Sequence, residues 1–587
     1  MLHRINISIL LVLSSIPFLY PQTIRNIEVS GNNFFSASEI IGWSGISSGQ
    51  NIFPGIIDSV NSRLAFNFAV SGYYHSSFNT ELQFQPDSQT ANLDISLIEN
   101  DPTYIFKIIF TNAASVDSAS IISEFKFLEG AIFNKRDIER SIASALTYYE
   151  NTGNPFAEII ISKINFHPFE AGGKYSVDIY LELGKGRISR IDEIKINGNT
   201  KTKDNVVLRE LRINSGQIYS QKLIEEIPYR LNRLGFFNSV NLPDYFINAD
   251  EKGVLTVYVQ DKQTNNFDGI IGFIPGNSQG ESGYFTGLVN VSLRNLFGTG
   301  RAAAIRWQKL DRSSQELELK YLEPWLFNFP LNIEAGLFQR KQDTTYVQRR
   351  LNFSIRYLAT EDISAAFNFS TESVIPGDND TLSFTVYNST SFTTGLNLKI
   401  DTRDDPYAPT RGLLFINAYS FSQKEISGPE KFILPGSATN INLQRFELEF
   451  RIFYQPFQRQ VIALGLNGKE LRGNFFDQSD LFRLGGTNSL RGYKEEQFLG
   501  SRIFWSNLEY RFSLTKRSFT FLFLDTGYFL LKEDRFRNIN KSEAFKIGYG
   551  LGINLETGLG IIGVSFALAK GDGFSDGKIH FGIVNEF

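Results

Sequence analysis

One arginine and one aspartate in the C-terminal half of the chain are placed to form an ion pair. Arg491 lies among small residues in a glycine-rich segment, residues 483–493, with the composition of a loop. Asp525 lies in a later segment whose alternation puts Phe523, Asp525 and Gly527 on one face. A carboxylate on the inward face of a strand requires a cationic partner, and a loop arginine can donate to it bidentately. We therefore expect a buried Arg491–Asp525 salt bridge. Its loss is expected to impair function, and exchange of the two charges to restore part of it.

Covalent chemistry finds little support in the sequence. A serine or cysteine hydrolase needs a histidine beside its nucleophile, yet the chain has only four His and no Cys. His580 is the one histidine after residue 263, and no catalytic motif surrounds it. The lack of Cys also excludes disulfides and thiolate metal sites. We expect no enzyme, no cofactor and no metal site, and a formal net charge of -4 gives no reason to expect a nucleic-acid partner.

Composition and the N-terminus favour a membrane protein of the cell envelope. Residues 1–21 hold a short apolar run that Pro17 and serines interrupt, which predicts a signal peptide rather than a spanning helix. Aromatic residues make up 14% of the chain, which is typical of a barrel with aromatic girdles. No later apolar run reaches about eighteen residues. A location in the membrane would therefore require a closed barrel.

Residues 22–262 repeat one order of elements three times. Each unit reads strand, helix, helix, strand, strand, at a period of about eighty residues. The longer helix of the first unit is predicted at about 56–70, and the first strand of the third unit at 191–196. The first strand of the first and third units ends in a Gly-Asn turn, at Gly31 and Gly198. The predicted α+β domains cover residues 22–101, 102–185 and 186–262. A tandem of unrelated α+β adaptor domains is the alternative.

From residue 263 to residue 587 the helical periodicity stops and strand follows strand. Segments such as 351–357 and 445–452 alternate apolar and polar residues, and Glu316, Glu318 and Lys320 form a charged row on one face. A soluble sandwich also alternates. Strands of about ten residues with charged faces instead fit a transmembrane barrel with a wet lumen, and we expect about sixteen antiparallel strands.

The late strands and the two ends of this region carry small residues. Gly548, Gly550 and Gly552 share one face, and the Arg491 loop is the expected occupant of the space beside them. The first and last strands are predicted at 267–274 and 578–587. Residues that limit ladder bonding or packing lie within these strands or directly after the first one. These residues are Gly269, Gly272, Pro275 and Gly582. We therefore expect a poorly paired seam, whose opening would expose backbone edges to an incoming strand.

These motifs resemble those of a known family. Arg491-Gly492-Tyr493 and the Phe523, Asp525, Gly527 pattern are similar to the loop and strand motifs of the BamA/TamA superfamily, outer-membrane proteins that fold or translocate other proteins. The Gly-Asn turns and the Leu-Gly-Phe-Phe segment at 234–237 resemble POTRA domains, its periplasmic modules. Segments 290–300 and 401–412 resemble an early hairpin and a mid-barrel turn of the family. Three modules before the barrel are most similar to the layout of TamA.

The resemblance implies a factor that assembles or translocates outer-membrane proteins. Its POTRA domains would receive unfolded outer-membrane or exported clients, or a periplasmic or inner-membrane partner, by strand addition. The barrel would contact outer-membrane lipid and insert clients at its seam, while Arg491 and Asp525 hold the inner loop. The terminal Phe587 resembles an insertion signal, and its deletion is expected to lower the amount of protein in the outer membrane. Two alternatives stay open: a two-partner-secretion transporter for one substrate, and a passive porin with anchoring domains.

Overall fold

The computed structural model describes residues 22–86, 89–112, 119–167, 174–274, 283–309, 311–377, 386–428, 430, 433, 438–533, 540–557 and 560–584. The predicted signal peptide at 1–21, and Pro275 and Phe587 of the predicted seam, lie outside these residues. The chain divides into two compact units. The first unit consists of the residues up to Asp192 together with Gly216–Leu223, and the second of Glu193–Ser215 together with Ile224–Phe587.

The first unit contains two modules with the same order of elements. The first module consists of β1 (Thr23–Ser30), α1 (Ala37–Ser44), α2 (Ile56–Val70), β2 (Ser77–Phe84) and β3 (Thr90–Ile98). The second consists of β4 (Tyr104–Phe110), α3 (Ala119–Lys126), α4 (Lys135–Asn151), β5 (Glu158–His167) and β6 (Ser176–Gly184). In both sheets the last strand is central, parallel to the first strand and antiparallel to the middle one. The helices cover one face of each sheet, which gives each module its own core.

Local sequence explains the helices of the first module. Ser36 and Glu39 form a capping box at the start of α1: the backbone N–H of Glu39 donates to the Ser36 hydroxyl, and that of Ser36 donates to the Glu39 carboxylate. In α2, apolar residues spaced by four, from Ile56 to Phe68, are buried against the sheet. The helix predicted at 56–70 therefore has the observed bounds, because its apolar periodicity runs through the whole segment.

The third module belongs largely to the second unit. Its elements are β7 (Arg190–Ile191), β8 (Glu193–Asn197), α5 (Asp204–Leu211), β9 (Gln217–Ile218), α6 (Gln221–Leu234), β10 (Asp244–Ile247) and β11 (Gly253–Tyr258). The three-stranded sheet again has its last strand, β11, in the centre, parallel to β8. The continuous strand expected at 191–196 is wrong. The chain breaks at Asp192, and Arg190 and Ile191 pair with β9 instead of joining the module's sheet.

A sixteen-stranded antiparallel sheet follows, which confirms the expected strand number. Its first eight strands are β12 (Asn266–Ile274), β13 (Tyr284–Leu296), β14 (Arg301–Lys309), β15 (Gln315–Glu323), β16 (Leu331–Gln342), β17 (Tyr346–Leu358), β18 (Ile363–Pro376) and β19 (Asn388–Asp401). The chain continues with β20 (Gly412–Gly428), β21 (Asn440–Phe457), β22 (Gln460–Arg472), the short hairpin β23 (Phe482–Leu484) and β24 (Phe498–Gly500), then β25 (Arg502–Ser513), β26 (Phe519–Leu531), β27 (Ser542–Thr557), β28 (Gly560–Ala569) and β29 (Lys578–Val584). Among the strands of the described residues after 263, only the β23–β24 hairpin stays outside the large sheet, and the other strands pair in chain order.

The two faces of this sheet differ as a transmembrane barrel requires. In β26, Leu522 and Leu524 are exposed, whereas the residues that alternate with them, Phe521, Phe523 and Asp525, are buried. Alternation with a period of two therefore puts apolar side chains outside and the charge inside. In the part of the chain that the structure describes, no helix is long and apolar enough to cross a membrane.

The Gly-Asn turns of the first and third modules share one geometry. Gly31 has a φ of +83° and Gly198 a φ of +91°, and a Cβ on either would lie about 2 Å from a backbone oxygen, that of Leu97 or Val259. A carboxylate then closes each turn. Glu99 accepts three backbone N–H groups of residues 33–35, and Asp261 accepts those of residues 200–202. Burial opposes ionisation, but the hydroxyl of Thr202 and these N–H groups together lower the pKa of Asp261.

Substitution of Gly198 tests the close approach separately from the left-handed backbone. Gly198→Ala is expected to destabilise the third module by about 1–3 kcal/mol more than Gly216→Ala, because the backbone must move away from the added methyl group. Gly216 is the matched control, since it also has a positive φ, +81°, but a Cβ added there would meet nothing within 4 Å. Hydrogen exchange of β8 and β11 in the full-length protein measures the difference. Equal loss of protection in the two variants would contradict the steric explanation.

Candidate functional site

The candidate site is built on the lumen loop, which we define as residues 473–501 between β22 and β25. Arg491 in this loop is buried, and Asp525 on β26 has no exposed surface. Arg491 Nε lies 2.8 Å from Asp525 Oδ2, and Nη2 lies 2.8 Å from Oδ1. The backbone N–H of Arg491 also donates to Oδ2. The structure thus brings together the two residues that the sequence pairs, in bidentate geometry.

Two strand residues that the sequence reasoning missed complete this cluster. Glu509 Oε1 accepts from Arg491 Nη1 at 2.8 Å, and Asn507 Nδ2 donates to Asp525 Oδ1 at 2.8 Å. The Arg491 guanidinium also lies over the ring of Phe523, 3.7 Å from its centroid. The alternation of Asn507, Glu509 and Arg511 with the exposed Leu508 and Tyr510 is the sequence signal that could have revealed them.

Glycines on the late strands make room for the loop, but only at some of the expected positions. A Cβ on Gly548 would lie 1.9 Å from the backbone oxygen of Arg491, and one on Gly527 would lie 2.9 Å from the Leu490 side chain. Gly492 itself has a φ of +91° and approaches the backbone of β28. The expectation is wrong for Gly550 and Gly552, because the rings of Phe523 and Phe521 on β26 occupy the space beside those glycines.

Tyr493, the third residue of the loop motif, joins the loop to the wall through its hydroxyl. The Tyr493 O–H donates to the backbone oxygen of Ile547 on β27 at 3.1 Å. Its ring packs in a buried cluster with Leu484, Leu490 and Phe529. Arg491 thus contacts β26, Gly492 contacts β28 and Tyr493 contacts β27.

The lumen loop also binds strands on the other side of the sheet. Lys424 on β20 lies 2.9 Å from Asp477 and 2.7 Å from Asp480, and all three side chains are buried. Glu496 lies 2.7 Å from Arg340 on β16 and 2.9 Å from Arg483. Because β16 and β26 are far apart in the order of strands, these contacts show that the sheet curls around the loop.

The residues of the predicted seam lie at the two ends of the sheet. Within the described residues, no backbone ladder joins β12 to β29, which are the edge strands. A Cβ on Gly269 would make only ordinary contacts, whereas one on Gly272 would lie 2.9 Å from Thr286 Oγ1. A Cβ on Gly582 would lie 3.1 Å from Thr487 of the lumen loop. Gly582 therefore lies where the loop approaches the last strand.

The hairpin at 290–300 and the turn at 401–412, which resemble family motifs, contact the third module. The backbone N–H of Lys203 donates to the oxygen of Gly298 at 2.9 Å, and Asn295 Nδ2 donates to Thr202. Arg233 Nη1 donates to Asp362 and to the backbone oxygen of Asp401. These contacts lie in loops at one end of the sheet, so we call them the module–barrel contacts.

Burial makes the module–barrel contacts electrostatically unusual. Burial raises the pKa of Glu210, although Arg209 and the hydrogen bond from the Trp325 indole oppose the rise. Burial also raises the pKa of Tyr229 to about 12, with a contribution from the hydrogen bond it donates to Asp362. Tyr229 therefore stays a neutral donor at any physiological pH.

The fold and the site together define a class of protein: an outer-membrane β-barrel that carries α+β modules and an internal loop with an Arg-Gly-Tyr motif. Residues 295–587 match the model of the Omp85 superfamily domain. Residues 103–183 and 189–262 match the POTRA model, described as a surface antigen variable number repeat. The chain belongs to the BamA/TamA-type Omp85 superfamily of outer-membrane proteins with periplasmic POTRA modules.

Curated relatives agree with this assignment, and a solved structure shares the fold. The chain is 23% identical over 461 residues to the outer membrane protein assembly factor BamA of Nitratidesulfovibrio vulgaris. This alignment covers 74% of this chain and 55% of the relative. It is 27% identical over 213 residues to BamA of Neisseria meningitidis, in an alignment that covers 36% of this chain and 25% of the relative. The chain thus spans about half or less of the length of these relatives. CdiB from Escherichia coli shares the fold, with 12% identity, a TM-score of 0.50, and 82% and 89% of the two chains covered.

Removal of the Arg491 side chain tests whether the ion pair holds the lumen loop. Arg491→Ala leaves Asp525 buried without its counter-charge, which is expected to cost about 3–5 kcal/mol of loop docking. Trypsin cleavage after the exposed Lys494 in the full-length protein measures undocking, and such a cost corresponds to at least a hundredfold faster cleavage (~1.4 kcal/mol for each factor of ten). Arg472→Ala is the control, since Arg472 forms an exposed pair worth at most about 1 kcal/mol. Equal cleavage in the two variants would contradict the role of the pair.

The structure removes the basis for expecting that charge exchange restores function. Asp525 accepts hydrogen bonds from Asn507 Nδ2 and from the backbone N–H of residue 491 as well as from the guanidinium. An arginine at position 525 would face both of these donors with N–H groups of its own. It would offer the two donors no acceptor. We therefore expect the Arg491→Asp, Asp525→Arg double variant to be no better docked than Arg491→Ala in the same cleavage assay.

Proposed function

We propose that this protein is an assembly factor that receives unfolded outer-membrane proteins through its POTRA modules and inserts them at the seam between β12 and β29. The observation that carries the proposal is the pair of sheet edges without a shared ladder in the described part of the chain, next to a lumen loop that is bound to opposite walls. A client strand can pair with a free edge without displacing that loop.

The edge strands of the modules support the first step, client binding. β5 is an edge strand of the second module, and Ile160, Ile161 and Ile164 on both of its faces are exposed. Its pairing with β6 is irregular between Ile161 and Lys163. An exposed apolar edge of this kind favours addition of an extended apolar strand, which is the form of an unfolded barrel client. A periplasmic or inner-membrane partner would compete for the same kind of edge.

The lumen loop argues against both alternatives. A passive porin or a transporter that exports its substrate through the lumen needs an open path, and here Lys424, Arg340 and Asp525 hold the loop from three sides. A polar cavity of about 720 Å³ lies between the loop and the wall formed by β15 to β22. Cations that line it are paired, as Arg350 is with Glu372 and Lys469 with Glu447. The cavity therefore offers no strong field for a charged substrate.

Two further interpretations of the sequence, the insertion signal at Phe587 and the similarity to TamA, remain predictions. Phe587 lies outside the described residues, so its role as an insertion signal rests on the alternation of the last strand. The relatives reported above are named BamA, so the similarity to TamA rests on the number of modules alone. The exposed side chains of the sheet, such as Leu522 and Ile579, are the surface that outer-membrane lipid would contact.

Depletion of the protein followed by proteomics of the outer membrane tests the proposed function. An assembly factor that serves many clients is expected to cause a broad loss of β-barrel proteins. Loss of one exported protein with the other barrels unchanged would instead support the dedicated transporter. Unchanged barrels and exported proteins, with altered permeability alone, would support the porin.

A disulfide across the seam tests the insertion mechanism. The chain has no Cys, so pairs can be introduced cleanly between exposed positions of β12, such as Phe267 or Ile271, and Ile579 on β29. A locked seam is expected to stop client insertion in reconstituted bilayers, and a reductant is expected to restore it. The control joins Val564 to Phe581, register partners on β28 and β29, where the ladder is already formed. Normal insertion by a locked protein would contradict insertion at the seam.

A further inference from the structure

A buried histidine on the last strand contacts the loop motif. His580 lies on β29 and is 6% exposed. The backbone N–H of Gly492, the central residue of the Arg-Gly-Tyr motif, donates to His580 Nε2 at 3.1 Å. Neither a catalytic role nor the ion pair of Arg491 accounts for this residue.

The hydrogen bond fixes the protonation pattern of the imidazole. Since Nε2 accepts from Gly492, the proton of a neutral ring lies on Nδ1. Nδ1 faces Thr487 Oγ1 at 3.5 Å and Glu495 Oε1 at 4.0 Å, and both of these oxygens can accept. The geometry therefore points to a neutral ring that joins two segments of the lumen loop to β29.

The contact lies on a strand with one free edge. On one side β29 pairs with β28, where Ser565 is the register partner of His580, and within the described residues its other edge pairs with no strand. Thr487 of the loop also packs close to Gly582, two residues further along the same face. The loop therefore contacts the inner face of β29 at two successive inward positions.

We propose that His580 is a positioning residue that ties the last strand to the lumen loop and so holds the seam in its unpaired, strand-accepting arrangement. This inference rests on the proposed function, since it concerns the same seam. Without the tie, β29 is free to move toward β12 and form the missing ladder. The loop motif then acts on the seam directly, through Gly492, as well as on the wall through Arg491.

Protonation of His580 would release the tie. In the charged ring both nitrogens are donors, so Nε2–H would face the N–H of Gly492. The charged groups around the ring are Glu495 and Arg491 of the loop, Asp525 on β26 and Lys578 on β29 itself. Two of the four are carboxylates and two are cations, so they largely offset each other. The lost hydrogen bond then dominates, and acid is expected to close the seam.

Distance measurements between spin labels test the proposal on the full-length protein in lipid nanodiscs. Ile271 on β12 and Ile579 on β29 are both exposed and can carry labels after substitution with Cys. His580→Phe is expected to shorten their mean distance by up to about 5 Å, one strand spacing. His580→Gln is expected to keep the distance of the unsubstituted protein, because its amide oxygen can accept from Gly492. The control pair, Ile355 and Phe367, are register partners on β17 and β18 and should not respond.

A pH comparison covers the case in which His580→Phe does not fold. Acidification from about pH 7.5 to about pH 5 is expected to shorten the seam distance of the protein with His580 but not that of His580→Gln, since histidine can take up a proton in this range and glutamine cannot. An unchanged distance in His580→Phe, or the same acid response in His580→Gln, would overturn the proposal. These distances do not depend on client insertion. If the distances show no tie, the disulfide test of insertion is unaffected. If the disulfide test contradicts insertion at the seam, the distances still report on the tie.

Discussion

Neutralisation of one buried carboxylate organises the inside of this barrel. Asp525 has no exposed surface, and a charge in such a place is tolerated only with a counter-charge and satisfied hydrogen bonds. Arg491 supplies the charge, but it lies on a loop, so the loop must enter the lumen. Small residues at Gly527 and Gly548 then become necessary, because the loop backbone and Leu490 approach the wall there. The position of the loop in turn determines which residues of the opposite wall it can bind.

The same loop also contacts the strand at one end of the sheet. A sheet that ends in two edges exposes unpaired backbone groups, which is a hazard unless those edges are controlled. Here the loop contacts β29 through His580 and Gly582, close to one of the edges. An arrangement that stabilises a buried charge thus also restrains the strand on which client insertion would depend. The module–barrel contacts use similar chemistry at the end of the sheet, where Glu210 and Tyr229 lie half-buried among polar partners.

Much of the fold could be predicted from the sequence because its determinants are local. Helix α1 follows from its capping box and helix α2 from apolar residues spaced by four, and the strand number follows from alternation and turn residues. The prediction failed at residues 191–196, where β7 pairs with a segment that is remote in sequence. It also failed at Gly550 and Gly552, because the rings that fill the space come from a neighbouring strand. In each case the deciding contact is not encoded within one segment.

By itself, the sequence determined the class of the protein and the central ion pair, since each requires only short motifs, periodicity and the rule that buried charges are paired. The tertiary structure decided the rest of the site. Glu509 and Asn507 become partners of the cluster because register places β25 beside β26. Lys424 and Arg340 become loop contacts because the sheet curls, and His580 meets Gly492 although 88 residues separate them. Such pairings depend on strand register and curvature, which are set by the packing of the whole barrel and not by any one segment.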